Sequence, residues 1–249
     1  MSPITHISVV IIADNAEQTI MDCLSSLSLF EEVILYLNNS VDSTEKIASG
    51  FGNVRIIKGP FLGFGRTKQK ATSYASNKWI LSLDSDECLN DVLVSCLKTK
   101  NLKDTCVYRI KRNTFYKKRK IRFCGFQNEQ VIRVFNKEMT NFNDLLVHET
   151  VLKKDLVSEV LSGEMNHYSY LSISDLIQKT DSYSSLYADQ NTKYSSLFLS
   201  IIKSFFCFLK VYIFRFGFLD GYLGFLIAYS SANGVFYKYL KLYEKHQSS

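Results

Sequence analysis

The chain has 249 residues, of which 46% are hydrophobic and 22% charged. This composition is normal for a globular protein with a packed core and excludes a disordered chain. This length predicts one large domain with an appendage. Residues 1–107 carry 10 Lys/Arg and 12 Asp/Glu, a net charge of −2, whereas residues 108–249 carry 20 and 12, a net charge of +8. The basic second half suits an anionic partner, and nucleic acid is not expected because no helix-turn-helix, zinc-finger or RNP-type signature accompanies it.

The first apolar run, residues 7–13, is β-branched and continuous, as expected for a central parallel strand covered on both faces. No basic segment precedes it and it is too short for a signal core, so a cytoplasmic start is expected. The six cysteines form no C-x-x-C pair, which indicates a reducing compartment with free thiols.

Strands and helices alternate along the first 90 residues. The predicted strands are 7–13, 32–37, 54–58 and 79–83, and the predicted helices are 15–27, 45–49 and 67–76. This order predicts an open α/β sheet of crossover units, in which ligands bind beyond the carboxyl ends of the strands. The polar turns at 13–17, 37–44 and 84–87 would all lie at that edge.

After residue 105 the pattern predicts strands at 107–112, 121–123 and 130–136. Between residues 109 and 122 there are eight Lys/Arg and no acid. This segment is either a solvated hairpin or an anion-binding surface.

From Ser195 the chain is strongly apolar and aromatic. Lys203, Lys210, Arg215 and Asp220 interrupt it, so it never reaches the ~18 uninterrupted apolar residues of a spanning helix. The functional interpretation is an interfacial helix on a membrane surface, and the alternative is a helix packed on the rest of the chain or on a second subunit in an oligomer. The predicted domains are therefore 1–195 and an amphipathic helical region, 196–249.

The strand at 79–83 leads directly into Asp84, Ser85, Asp86 and Glu87. Mg²⁺ and Mn²⁺ prefer carboxylate oxygens and bind through one or two of them together with substrate phosphates. A helix cap at Asp86 would explain one of these acids but not three. An aspartyl phosphatase also uses Asp-x-Asp, but there the first Asp follows the first strand, not the fourth.

Five motifs occur in a characteristic order: Gly63-Phe64-Gly65, Lys68, Trp79–Glu87, Glu129-x-x-x-Arg133-x-Phe135 and Val147-His148-Glu149. Together with the segments ISVVIIADNAEQTI and EEVILYLNNSVDST, they resemble the GT-A glycosyltransferases of family 2, and within them the lipopolysaccharide core β-glucosyltransferases. The resemblance covers about residues 5–152. It implies a Rossmann-like, mostly parallel open sheet, here followed by a helical, aromatic-rich C-terminal extension.

The resemblance also implies site residues. Asp86 would bind Mn²⁺ or Mg²⁺, with His148 as a second ligand or, alternatively, a core histidine. Lys68 would face the donor diphosphate, or else be a surface helix lysine. The implied nucleotide-sugar-binding residues are Ala13, Asp14, Asn15, Glu17, Asn38, Asn39, Lys68, Asp84 and Ser85.

An inverting transfer needs a general base for the acceptor hydroxyl. The family places an Asp four residues before the Arg of its R-L-F segment, and Glu129 stands there, with Glu149 as the reserve candidate. A departure is Leu37, which stands where the family ends its second strand in Asp. An Asn amide, from Asn38 or Asn39, can still pair with a pyrimidine edge. The first motif reads Ala13-Asp14-Asn15 in place of the usual Thr-Lys/Tyr-Asn.

The function that the resemblance implies is an inverting transfer of a hexose, probably glucose from UDP-glucose, onto an anionic glycolipid such as the lipopolysaccharide inner core. The expected location is the inner face of the cytoplasmic membrane, as a peripheral protein. The alternatives are a polyprenyl-phosphate hexosyltransferase and a non-catalytic nucleotide-sugar-binding subunit.

Overall fold

The computed structural model describes residues 2–144, 149–153 and 155–247. In this part of the chain nine strands form one sheet of order β3-β2-β1-β4-β8-β6-β9-β5, with β7 paired to β6. The strands are β1 Ile4–Ala13, β2 Phe30–Leu37, β3 Val54–Lys58, β4 Trp79–Asp84, β5 Glu87–Leu89, β6 Cys106–Tyr116, β7 Arg119–Lys120, β8 Gln130–Asn136 and β9 Val157–Tyr170. The helices are α1 Ile20–Ser25, α2 Thr44–Ala48, α3 Phe64–Thr72, α4 Asp91–Thr99, α5 Ile173–Gln190, α6 Leu197–Leu209 and α7 Tyr222–Gln247.

The first four strands of the sheet run parallel, and β1, β2 and β4 are buried on both faces, whereas the edge strand β3 is half-buried. Along β1, Val9 and Ile11 belong to one hydrophobic cluster and Val10 and Ile12 to the other, as alternation across a sheet requires. Beyond β4 the pairs β4–β8, β8–β6 and β5–β9 are antiparallel. The predicted α/β sheet with a helical C-terminal region is therefore confirmed, and its parallel part ends at β4.

A β-bulge interrupts the ladder between β6 and β8. Tyr108 pairs with Val134 and Arg109 with Ile132, so that Arg133 is an extra residue on β8. A bulge bends its strand and redirects a side chain, and bulges are common beside active sites. Here it occurs where β8 passes the carboxyl end of β4.

The strand predicted at 121–123 is wrong, because β7 covers Arg119–Lys120 instead. The backbone amides of Arg122 and Phe123 both donate to the Asp220 carboxylate, at 3.0 and 2.8 Å. A side chain thus satisfies the donors that a strand ladder would otherwise have paired.

Contacts divide the chain into two compact units: residues 1–113 with 130–167, and residues 114–129 with 168–249. The first unit holds the two clusters of the sheet, and the second holds a separate cluster built from α5 to α7 and the 116–124 loop. The boundary between residues 113 and 114 cuts the basic 109–122 segment, and the boundary between residues 167 and 168 cuts β9. The boundary expected at residue 195 stays a prediction.

Within the second unit, α6 continues through a π-helical turn, Lys210–Phe214. Among the described residues, one helix, Leu197–Phe214, has the length and apolar composition to cross a membrane, with a mean hydropathy of 1.9 over 18 residues. Its Lys203 ammonium contacts the Tyr239 hydroxyl at 2.9 Å, so this charge is engaged by α7. The ammonium also lies 4.3 Å from the centre of the Tyr239 ring, and a cation–π contact of this kind reduces the cost of Lys203 in an apolar helix.

Candidate active site

Asp84 ends β4 at the carboxyl edge of the parallel strands. One of its carboxylate oxygens accepts a hydrogen bond from Lys68 Nζ at 2.7 Å, and the other accepts from the Arg133 guanidinium at 2.5 Å. Burial alone would raise the pKa of Asp84, but Arg133 and Lys68 outweigh it and hold the pKa well below its ordinary value. Asp84 is therefore an ionised carboxylate with fixed orientation.

Glu87 holds the turn that follows β4. Its side chain is 0% exposed; it accepts hydrogen bonds from Arg133 and from the backbone amide of Asp84. Arg112 lies 3.5 Å from the same carboxylate. A buried carboxylate needs such partners, so Glu87 positions the Asp84–Asp86 turn instead of facing a ligand. The helix-cap alternative for Asp86 is wrong, because β5 intervenes and Asn90 caps α4.

Lys68 is not a surface lysine. Its residue is 1% exposed, and Nζ bridges Asp84 and Glu149, at 2.7 Å from each. Burial lowers the pKa of Lys68, but the Asp84 and Glu149 carboxylates more than compensate and raise it overall.

Gly63 precedes α3, the helix that carries Lys68, and has φ of 89°. This left-handed conformation favours glycine and explains the first residue of the Gly-Phe-Gly motif.

Asp86 lies opposite a histidine that the sequence did not single out. The two side chains are both largely buried, and Asp86 Oδ1 is 3.3 Å from His167 Nε2, on β9. The register of β5 against β9 produces this approach, because Glu87 pairs with His167. The sequence contains no motif that would pair Asp86 with His167, because 81 residues separate them. The predicted ligand His148 lies outside the described residues.

Asp86 and His167 together are the candidate ligands for a divalent metal. No group of three His, Cys, Asp or Glu in the described part of the chain is arranged to hold a metal ion. Asp86 and His167 nevertheless supply one carboxylate and one imidazole at a single point. Mn²⁺ and Mg²⁺ accept two protein ligands when substrate phosphates and water complete the shell. The donor set thus fits a metal that binds together with a diphosphate.

The predicted nucleotide-binding residues lie on two loops that hydrogen-bond to each other. The amide of Glu17 donates to Asp42 at 2.9 Å, and Asn15 and Ser40 are joined by a backbone-to-side-chain bond of 3.1 Å. Burial raises the pKa of Asp14, and Asp42 raises it further. The loops after β1 and β2 therefore form one continuous rim.

Leu37 is buried in the core of the first unit. The next residue, Asn38, is also buried, and its backbone N–H donates to the Ala13 carbonyl at 3.0 Å. Asn39 has φ of 65°, a left-handed conformation that asparagine tolerates well. The polar groups at this end of β2 therefore come from the asparagines and not from residue 37.

A cavity of about 380 Å³ opens beside Asp84 within the first unit. Its walls include Glu149 and Arg133, together with Arg109 and Arg112 of β6. Of the two predicted bases, Glu149 lines this cavity. Glu129 belongs to the second unit, and its assignment stays a prediction.

The structure brings together Lys68, Asp84 and Glu149, which the sequence analysis had singled out separately. Arg133 and Glu87 lie within two of the family motifs, but the sequence analysis gave neither of them a role. The sequence signal for both residues was the presence of more charged side chains in these motifs than the assigned roles used, since charges that become buried need partners.

The model of the family described as "Glycosyl transferase family 2" matches residues 8–156. The chain is similar to an uncharacterised glycosyltransferase of Rickettsia typhi, with 32% identity over 155 residues, 59% of this chain and 52% of that one. It therefore spans about half the length of that relative. It is also similar to the lipopolysaccharide core biosynthesis glycosyltransferase LpsC of Rhizobium meliloti, 28% identical over 97 residues, 37% of this chain and 36% of that one.

Two solved structures are also similar. One is glucosyl-3-phosphoglycerate synthase from Mycobacterium tuberculosis in complex with Mn²⁺, UDP and phosphoglyceric acid. It is 26% identical, with a TM-score of 0.34, and 45% of this chain and 43% of that chain are covered. The other is S. aureus TarS, 14% identical with a TM-score of 0.49, and 89% of this chain and 46% of that chain are covered.

Proposed function

The chain belongs to glycosyl transferase family 2, and on that premise we propose that it is an inverting hexosyltransferase. It moves glucose from UDP-glucose onto an anionic glycolipid such as the lipopolysaccharide inner core. The observation that carries this proposal is the meeting of Lys68, Asp84 and Glu149 beside one cavity, since these residues come from three separate family motifs. The similarity to LpsC supports the glycolipid acceptor.

The donor lies along the rim of the β1 and β2 loops, with its diphosphate at Asp84–Asp86. Asp86 and His167 would hold Mn²⁺ or Mg²⁺, and the bound metal would supply positive charge for the leaving nucleoside diphosphate. Lys68 and Arg133 keep Asp84 ionised and fixed. Its carboxylate would then bind the ribose or support the metal site. Fixed charges of this kind need no reorganisation during the reaction.

A screen of nucleotide sugars by thermal shift tests the donor assignment. UDP-glucose with Mn²⁺ is expected to raise the melting temperature, because a ligand at 100 times its Kd stabilises a protein by about 2.7 kcal/mol. UDP-glucose without metal is expected to give a smaller shift. If no UDP-hexose shifts the melting temperature or is hydrolysed in the presence of Mn²⁺, the proposal fails.

The base that activates the acceptor is proposed to be Glu149. It lines the cavity beside Asp84 and is held by Lys68. Glu149→Gln is expected to slow transfer from UDP-glucose to a lipopolysaccharide inner-core acceptor by about 10²- to 10⁴-fold. Glu129→Gln is the matched control and is expected to stay within about threefold of wild type. A larger loss in Glu129→Gln would make Glu129 the base.

The second unit is proposed to bind the cytoplasmic membrane surface. Phe198, Ile201 and Phe205 follow an i, i+3, i+7 spacing along α6, and all three are more than half exposed. In the same unit, Lys118 and Arg119 line a cavity of about 390 Å³. An apolar helix face in a unit with basic side chains suits an interface of anionic headgroups and acyl chains.

Flotation with liposomes tests the membrane proposal. The double variant Phe198→Ser/Phe205→Ser is expected to bind anionic liposomes at least roughly tenfold more weakly than wild type, since burial of one Phe contributes about 1.5–3 kcal/mol. Val41→Ser is the control, because Val41 is an exposed apolar residue of the first unit. Equal flotation of the double variant and the control would contradict membrane binding through α6.

A polyprenyl phosphate is the alternative acceptor. The apolar helix Leu197–Phe214 favours a lipid-linked acceptor of either kind. Parallel transfer assays with a polyprenyl phosphate and with the lipopolysaccharide inner core distinguish them, because only the true acceptor accumulates labelled glucose.

A further inference from the structure

The basic segment at 109–122 separates into two parts in the structure. Arg109 and Arg112 lie on the part of β6 that belongs to the first unit, and both line the cavity beside Asp84. Lys117 to Lys120 belong to the second unit. The two arginines therefore need an explanation of their own, apart from membrane binding.

Most of the charged side chains around the cavity pair with one another, and Arg109 stands outside these pairs. The carboxylates of Asp84, Glu87 and Glu149 face three cations within ion-pairing distance, Lys68, Arg112 and Arg133. In the part of the chain that the structure describes, Arg109 forms no ion pair with any of these carboxylates. Arg109 thus adds to the wall of the cavity a positive charge that none of these three carboxylates pairs with.

The Arg109 guanidinium also has an unsatisfied donor. Its Nε is buried and has no hydrogen-bond partner among the described residues. Buried donors are normally satisfied, and an exception calls for a ligand, an ion or a functional reason. A planar guanidinium that lines a cavity is suited to bidentate recognition of phosphate or carboxylate.

The sheet order places Arg109 and the proposed nucleoside-binding loops on opposite sides of Asp84. The loops after β1 and β2, proposed for the nucleoside, lie on one side of β4, whereas β8 and β6 lie on the other. Arg109 follows the bulge and pairs with Ile132, which also lines the cavity. A group bound at Arg109 is therefore across Asp84 from the nucleoside, where an attacking acceptor would enter.

We infer that Arg109 binds an oxyanion, a phosphate or a carboxylate, carried by the acceptor near its attacking hydroxyl. The assignment of the oxyanion to an acceptor rests on the proposed transferase function, whereas the oxyanion site itself rests on the cavity. Arg109 is a specificity-determining residue that selects anionic acceptors, with Arg112 as a weaker second contact because Glu87 shares its charge.

Binding of inorganic phosphate tests the inference directly. Thermal shift is measured on the full chain with saturating UDP and Mn²⁺, so that the donor diphosphate site is already filled. Wild type is expected to be stabilised by phosphate, and Arg109→Met to bind it at least tenfold more weakly. Arg109→Lys should retain part of the affinity. Acetate in a parallel titration, with chloride as the constant background, distinguishes a carboxylate site from a phosphate site.

Arg55→Met is the control, because Arg55 is exposed on β3, outside the cavity. Arg109→Met should melt at or above the temperature of wild type, since the variant removes a buried unsatisfied donor. Arg55→Met should hydrolyse UDP-glucose at the wild-type rate. Should Arg109→Met not fold, Arg109→Lys and Arg109→Gln provide the comparison.

Phosphate affinity that is equal in wild type, Arg109→Met and Arg55→Met would overturn the inference. A loss of UDP affinity in a folded Arg109→Met protein as large as its loss of phosphate affinity would overturn the acceptor-side assignment, because it would place Arg109 at the donor diphosphate. If wild type neither binds nor hydrolyses UDP-glucose but phosphate binding still depends on Arg109, the transferase proposal fails and the oxyanion site stands.

Discussion

Replacing Arg133 with methionine is expected to lower the free energy of unfolding by about 3–5 kcal/mol, the usual cost of removing one partner from a buried ion pair. Arg133 is buried on β8 and contacts both Asp84 and Glu87. Without it, the 0%-exposed Glu87 keeps the hydrogen bond from the Asp84 backbone amide, but the one cation it still contacts among the described residues is Arg112, at 3.5 Å. Urea denaturation followed by circular dichroism measures the loss.

Two comparisons separate the buried charge from a general effect of losing an arginine. Arg55→Met removes an exposed arginine and is expected to change stability by less than about 0.5 kcal/mol. In the double variant Arg133→Met/Glu87→Gln, the buried charge disappears with its partner, so much of the lost stability should return. A loss in Arg133→Met as small as that in Arg55→Met would show that Glu87 and Asp84 do not depend on Arg133.

Asp86→Asn is expected to reduce Mn²⁺-dependent hydrolysis of UDP-glucose by about 10³-fold, which corresponds to about 4 kcal/mol of lost transition-state stabilisation. The reason is that Asp86 supplies the carboxylate of the proposed metal site, and an amide binds a divalent cation more weakly. His167→Gln removes the second proposed ligand and should weaken Mn²⁺ binding by a smaller factor. A titration of the initial rate against Mn²⁺ measures both variants.

Asp91→Asn is the matched control, because Asp91 is an exposed aspartate in the first turn of α4. Its hydrolysis rate should equal that of wild type. Hydrolysis by Asp86→Asn at the wild-type rate, with unchanged dependence on Mn²⁺, would exclude Asp86 as a metal ligand. Hydrolysis that is absent in wild type as well would count against the proposed function and not only against this residue.

The first half of the fold was predictable because its signals are local. Continuous β-branched runs fold as covered parallel strands, and β3 covers residues 54–58 as expected. Gly63 marks a left-handed turn that few other residues tolerate, so the start of α3 is legible in the chain. The predicted strand at 121–123 failed for the opposite reason, because a distant carboxylate, Asp220, bonds its amides.

The sequence by itself determined the parallel sheet, the family and the acidic turn after β4, because periodicity, glycine conformation and motif spacing are properties of neighbouring residues. Only the tertiary structure decided which charges pair. It bridged Asp84 and Glu149 through Lys68, brought His167 to Asp86, and left Arg109 without a partner in the described chain. These side-chain pairings depend on strand register and on one bulge at Arg133. A shift of one residue moves a side chain to the other face of the sheet, and no local pattern encodes that shift.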